Sequence, residues 1–334
     1  MRLPTSRWTI AGAGAIVIVL LATLILVRVT DHPVAARTGV ASNAAVAADG
    51  LHAPWYGLKV LGGDHSFTGS PAAAAPPNTA AAGILVDDDT HRILWASNAH
   101  TQLAPASTIK LLTTMVVLEN YSPDTLITAT PDGLFTAGDE TKMYIEPGDK
   151  LTVQELLTGL LMVSANDAAD VLAVETVGLQ KFVAAMNAQA DALGLKDTHA
   201  TSPVGLDDDG MYSSAYDLAV LASTDYSQWP LFRTIVGTQE TDLPASDLHG
   251  DFTLTNVNQL LTMYPAAVGI KTGYTGNAGN CLVSMAMRDG HRLISVLLNE
   301  PNQIFATSRA LLDWGFTQEG LPTQLPTPPP APAH

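Results

Sequence analysis

The sequence predicts an α+β domain, on three observations. Short apolar runs of strand length stand at both ends of one block, around residues 82–96 and 267–298. Helical spacing of apolar residues fills the middle of that block. Strands and helices therefore occupy separate stretches, the order of a layered α+β fold and not of alternating parallel units.

Taken in order, the first feature lies ahead of the block. Thr9 to Val29 carries one charge, Arg28, and at about 1.5 Å per residue is long enough to cross a bilayer core of roughly 30 Å. Arg2 and Arg7 precede it and the first acid, Asp31, follows it, so the bulk of the chain is expected outside the cytoplasm. The apolar run is longer than a cleaved signal and leads into Arg28, Asp31 and His32, which favours an uncleaved anchor, with Ala45-Val46-Ala47 as the alternative cleavage site. Residues 1–30 thus read as a cytoplasmic stub and transmembrane anchor, and residues 31–79 as an Ala/Pro-rich tether. A tail over 321–334 is again Pro-rich. Residues 80–320 remain as the globular domain.

Within it, Ala82 to Val86 and Arg92 to Ala96 flank Asp87-Asp88-Asp89-Thr90-His91 as a hairpin. Ser107 opens a helix through about Asn120. Thr152-Val153-Gln154-Glu155 is a capping box for a helix to about Met162. After a break at Val163 to Asn166, Asp167 is expected to cap a helix ending near Gly178, and Leu179 to Leu193 gives another. A loop-rich stretch leads to strands at Ala267–Thr272, Cys281–Arg288 and Leu293–Leu298, and a last helix runs from about Gln303 to Trp314.

Composition excludes several classes of function. With 16 Lys plus Arg against 32 Asp plus Glu, a net charge of −16, the chain lacks the basic surface that a nucleic-acid backbone requires, so no nucleic-acid partner is expected. One cysteine, Cys281, makes neither an internal disulfide nor a thiolate metal site, and it reads as a small buried hydrophobe. The histidines form no helical pair, and Asp207-Asp208-Asp209 lacks the alternate spacing of a calcium loop, so it reads as a solvated turn. No metal or cofactor is expected.

Three motifs carry chemistry. Ser107-Thr108-Ile109-Lys110 places a hydroxyl and an amine one helical turn apart, where a neutral lysine takes the proton of a nucleophilic serine. Burial and a second cation favour that neutral form, and the backbone N–H of Ser107 is free to hold an oxyanion. Alone, S-x-x-K arises by chance about once in a chain of this length. Ser164-Ala165-Asn166 sits in a helix break, with a hydroxyl to relay a proton and an amide to hold a substrate amide. Lys271-Thr272-Gly273, continuing as Tyr274-Thr275, ends a strand with a fixed charge, two hydroxyls and a glycine that admits a close neighbour.

In succession these motifs match the signature set of the penicillin-recognising serine acyl-enzymes. From about Ala80 to Phe316 the chain resembles the D-alanyl-D-alanine carboxypeptidases, the low-molecular-mass penicillin-binding proteins. Segments such as LTVQELLTGLLMVSANDAADVLA and GIKTGYTGNAGNCLVSMAMRDGHRLISVLL carry that likeness. It implies an antiparallel sheet flanked by helices on both faces, plus an all-helical part. It also implies a two-step reaction on peptidoglycan stem peptides ending in D-Ala-D-Ala. Ser107, deprotonated by Lys110, forms the acyl-enzyme and releases D-alanine, and water hydrolyses the ester. By the same resemblance Ser164 passes a proton to the leaving amine, Asn166 holds the substrate amide, and Lys271 tunes Lys110 and the field near the substrate carboxylate. Gly273 belongs to the same motif, the N–H groups of Ser107 and Tyr274 form the oxyanion hole, and Thr272 and Thr275 face the terminal carboxylate. β-Lactams are expected to acylate Ser107.

The chain departs from that pattern at Ile304, near the place where many members carry a carboxylate-binding arginine, with Arg309 the nearest replacement, and at Ala266, where glycine is frequent. Many members also have a second, all-β domain and a C-terminal anchor, whereas here tethering from the N-terminus is expected instead. Two alternatives are weighed. A class A β-lactamase needs a deacylating Glu in an E-x-x-L-N segment, and Glu240-Thr241-Asp242-Leu243 is a poor match. A membrane-tethered wall-peptide binder without turnover fits the missing arginine.

Overall fold

Residues 58–62, 65–69, 74–138 and 140–321 are described by the computed structural model. The chain runs up β1 (Ala82–Asp87) and back along β2 (Arg92–Ser97). A 3-10 turn, Ala106–Ile109, then leads into α1 (Lys110–Asn120). A two-stranded ribbon pairs β3 (Leu126–Thr128) with β4 (Lys150–Thr152). The expected capping box opens α2 (Val153–Met162): Thr152 Oγ1 accepts from the Glu155 N–H and the Glu155 carboxylate accepts from the Thr152 N–H. Next come α3 (Asn166–Val174), α4 (Leu179–Ala192), α5 (Ala215–Gln228) and α6 (Pro230–Gly237). A second ribbon, β5 (Glu240–Leu243) with β6 (Phe252–Thr255), and the single turn α7 (Leu260–Met263) precede the sheet's second half. That half is β7 (Ala267–Thr275), β8 (Gly279–Arg288) and β9 (His291–Glu300), closed by α8 (Ile304–Gln318).

The five main strands are antiparallel in the order β2-β1-β9-β8-β7, so both predicted ends of the block meet in one sheet, with β7 on an outer edge. β1 is buried at every residue because both faces are covered. Ile84, Val86, Val283, Val296 and Leu298 face the helical part, in a core shared with Leu218 and Leu221 of α5. Leu85 and Leu293 turn the other way, onto Leu312 and Phe316 of α8. Gly315 lets α8 approach: a Cβ there would lie 2.7 Å from Leu85 and 2.8 Å from Leu293.

Several expectations change. The loop-rich stretch between residues 194 and 267 holds two helices, α5 and α6, a ribbon and the single turn α7. Asp167 is not a cap: α3 begins after Ala165, and the Asp167 carboxylate accepts from the N–H groups of Met143, Tyr144 and Ile145, tying the preceding loop to the helix. The helix at Ser107 starts as a 3-10 turn, and α8 runs on to Gln318. The packed unit also begins before residue 80. Asn120 and Gln189 each exchange two hydrogen bonds with the backbone, at Lys59 and Leu61 respectively, while Phe67 is buried beside Tyr216. The Thr9–Val29 segment lies outside the described residues, and among those described no helix is long and apolar enough to cross a membrane.

Candidate active site

Ser107 rides on the 3-10 turn, squeezed between two backbones. Behind it Gly205, at φ +85, leaves no room for a side chain: a Cβ would fall 2.1 Å from the Ala106 carbonyl oxygen. In front, a Cβ on Gly273 would sit 3.0 Å from both the Ala106 Cβ and the Ser107 nitrogen. The glycine of the third motif thus brings the edge strand β7 against the nucleophile's own N–H. Ala106 pays for this packing with a left-handed φ of +48, a conformation rare for a residue with a Cβ.

Lys110, the first residue of α1, is fully buried. Its Nζ donates to Ser107 Oγ at 2.9 Å, to Asn166 Oδ1 at 2.7 Å and to the Val204 carbonyl at 2.7 Å. Three acceptors match the three hydrogens of an ammonium. Burial lowers the Lys110 pKa well below that of a free lysine, and the charge of Lys271 lowers it further, while Asp170, Glu140 and Asp167 pull the other way. Lys271 is itself buried and is brought down to about 7 by that burial. Burial and the neighbouring Lys271 together disfavour the charge on Lys110, the condition that makes a lysine usable as a base.

Ser164 and Asn166 come from the α2–α3 link, where Ser164 adopts φ +63. Both are buried. Asn166 is held at three points: its N–H donates to the Thr141 carbonyl at 2.8 Å, its Oδ1 accepts from Lys110, and its Nδ2 donates to Glu140 Oε2 at 2.6 Å. Asp170, one turn along α3, is lifted by burial to about 7 despite a hydrogen bond from Thr136.

The third motif occupies the free edge of the sheet. Lys271 Nζ donates to the Thr272 carbonyl at 3.0 Å, and Tyr274 is 69% exposed. The Thr275 hydroxyl differs from expectation. It donates its one proton to Asp207, whose other oxygen accepts from the Asn277 N–H at 3.1 Å. Thr275 accordingly has no proton to offer a carboxylate, and Asp207 is a strand-end tie, not only a solvated turn. Ile304 is buried among Leu282, Leu297 and Leu311, so it contributes nothing to the cleft. Arg309 acts on Tyr264, near the start of β7 and at the opposite end of that strand from Thr275, and is no substitute. Cys281 lies buried in β8 as expected, its thiol pushed up to about 11 by burial.

The structure therefore brings Ser107, Lys110, Asn166, Lys271 and Gly273 into one constellation. The Val204 carbonyl and Glu140 had no signal in the sequence: a backbone acceptor is blind to residue type, and the Glu140–Asn166 contact spans 26 positions.

A half-buried serine in contact with a fully buried lysine, at the edge of a five-stranded antiparallel sheet with helices on both faces, defines a transpeptidase-like fold. The chain belongs to the Peptidase S11 family, described as D-alanyl-D-alanine carboxypeptidase, which matches residues 70–302. Among its relatives, D-alanyl-D-alanine carboxypeptidase DacB2 of Mycobacterium tuberculosis is 36% identical over 248 residues, covering 72% of this chain and 84% of that one. D-alanyl-D-alanine carboxypeptidase DacF of Bacillus subtilis is 34% identical over 246 residues, again 72% of this chain but 62% of the longer relative. Among solved structures, a D-alanyl-D-alanine carboxypeptidase from Mycobacterium tuberculosis superposes with a TM-score of 0.70 at 33% identity, covering 75% of this chain and 96% of that one. The Streptomyces K15 DD-transpeptidase gives 0.69 at 29% identity, covering 73% and 100%.

Proposed function

We propose that the chain is a serine D-Ala-D-Ala carboxypeptidase acting on peptidoglycan stem peptides. The observation that carries this reading is the 2.9 Å contact between Lys110 Nζ and Ser107 Oγ in a cleft that also buries Lys271. Lys110, in its neutral form, takes the Ser107 proton as Oγ attacks the carbonyl between the two D-alanines. The oxyanion forms beside the N–H groups of Ser107 and Tyr274, which the contact between Gly273 and the turn holds together. Ser164 carries a proton to the departing amine, Asn166 holds the substrate amide, and water then frees the acyl chain from Ser107. The charge of Lys271 with the Thr272 hydroxyl receives the terminal carboxylate, and Gly273 and Tyr274 offer an extended peptide the open edge of β7. β-Lactams enter by the same route and acylate Ser107.

The test is direct. The purified chain, given a peptide ending in two D-alanines, releases free D-alanine, and Ser107→Ala abolishes release. Slow labelling by a fluorescent penicillin without any release overturns the enzyme and favours a wall-peptide binder, the reading that the buried Ile304 keeps in view.

We further propose a single-pass location in a bacterial cell membrane, with the domain on the extracytoplasmic side. The apolar run Thr9–Val29 and the basic residues ahead of it support this. Recovery of the full-length mass from carbonate-washed membranes, with the domain open to added protease from outside, is the expected result.

A further inference from the structure

We propose that Glu140 is a positioning residue of this site, one that fixes the orientation of Asn166 and partly neutralises Lys110. The inference rests on the serine acyl-enzyme reading above.

An asparagine side chain has an acceptor end and a donor end of nearly equal shape, and only its neighbours decide which way it points. The Lys110 ammonium offers only protons, so Oδ1 must face it, as it does at 2.7 Å. A carboxylate offers only lone pairs, so Nδ2 must face Glu140, at 2.6 Å. With both ends committed, Asn166 keeps one N–H hydrogen for a substrate carbonyl and presents it in one direction. Remove Glu140 and one of the two constraints goes. Glu140 is placed by local structure too: its Oε1 accepts from the Ala137 N–H at 3.2 Å, and the next residue's carbonyl, that of Thr141, receives the Asn166 N–H.

The second effect is electrostatic. The charged groups acting on Lys110 are Lys271 from β7, Asp170 and Asp167 from α3, and Glu140 from the loop before β4. Of the three acids, Asp167 spends its oxygens on four backbone N–H groups, and Asp170 is held partly protonated near neutrality by burial and by the charge of Glu140. Glu140 is the carboxylate that touches the Lys110–Asn166 pair, so it opposes the push of Lys271 and delays the loss of the Lys110 proton.

Two substitutions separate these effects. Glu140→Gln keeps an acceptor for Asn166 and removes the charge, whereas Glu140→Ala removes both. The readout is the second-order rate of penicillin acylation at Ser107 by mass spectrometry, from pH 5 to 9, with thermal unfolding alongside to confirm folding. Expected in Glu140→Ala is a plateau about tenfold below wild type, which corresponds to ~1.4 kcal/mol, with its acidic limb displaced to lower pH. Expected in Glu140→Gln is a plateau within about twofold of wild type and an acidic limb displaced to lower pH. Equal rates for wild type and Glu140→Ala, an undisplaced limb in Glu140→Gln, or a Glu140→Gln plateau as low as that of Glu140→Ala overturns the proposal. Wild-type protein that forms no adduct overturns the reading of the site itself, a separate result.

Discussion

Replacing Gly273 by alanine tests the geometry on which the oxyanion hole depends. The added Cβ lands 3.0 Å from Ala106 Cβ and from the Ser107 nitrogen, and 3.2 Å from the Pro105 carbonyl, where ordinary contacts are about 3.5–4.0 Å. Something must move by roughly half an ångström. The serine turn cannot retreat, because Gly205 already backs the Ala106 carbonyl, so β7 gives way and takes the Tyr274 N–H with it. Overpacking of this kind costs about 1–3 kcal/mol in stability, which for a domain of this size lowers Tm by roughly 2–10 °C. The catalytic loss is larger: one misplaced oxyanion donor costs about 10²-fold or more in kcat. Stopped-flow acylation with a chromogenic cephalosporin, beside a calorimetric Tm, reads both quantities. A Gly273→Ala protein that acylates at the wild-type rate refutes the close approach of β7 to Ser107.

Further outcomes follow from the same geometry. Thr272→Val raises KM for a D-Ala-D-Ala peptide by about tenfold, the worth of a hydrogen bond to a charged group, whereas Thr275→Val changes it less than threefold because that hydroxyl serves Asp207; equal effects refute this. KM also climbs above pH 7 as Lys271, near 7, loses the charge that draws the carboxylate, and a KM flat to pH 9 contradicts that role. Asp170 keeps its proton in the folded state up to about 7 but loses it near 3.8 when unfolded, so it makes stability fall as pH rises between those values, by at most ~4 kcal/mol. Urea unfolding at pH 5 and pH 8 therefore shows a drop in wild type that Asp170→Asn largely lacks.

Much of this molecule is legible in its residues because the signals are local. The capping box at Thr152, the continuous apolar run of β1 and the order of the three motifs all depend on neighbours within a few positions. Where the sequence misleads, the cause lies in distant partners. Helices α5 and α6 escape notice because α5 is buried almost all round and so lacks a polar stripe to mark its period. Asp167 sits where a cap belongs, yet the loop at Met143–Ile145 claims its carboxylate first. Thr275 sits in a carboxylate-binding motif, yet an aspartate 68 positions away takes its proton. Glu140 belongs to no motif at all, and only the fold sets it beside Asn166.

The amide clamps of Asn120 and Gln189 bear on where the packed domain begins. They seize the incoming chain at Lys59 and Leu61, on the helical side of the domain. Lys59 and Leu61, which composition alone places in the Ala/Pro-rich tether, therefore belong to the packed domain, held there by side-chain amides 61 and 128 positions away.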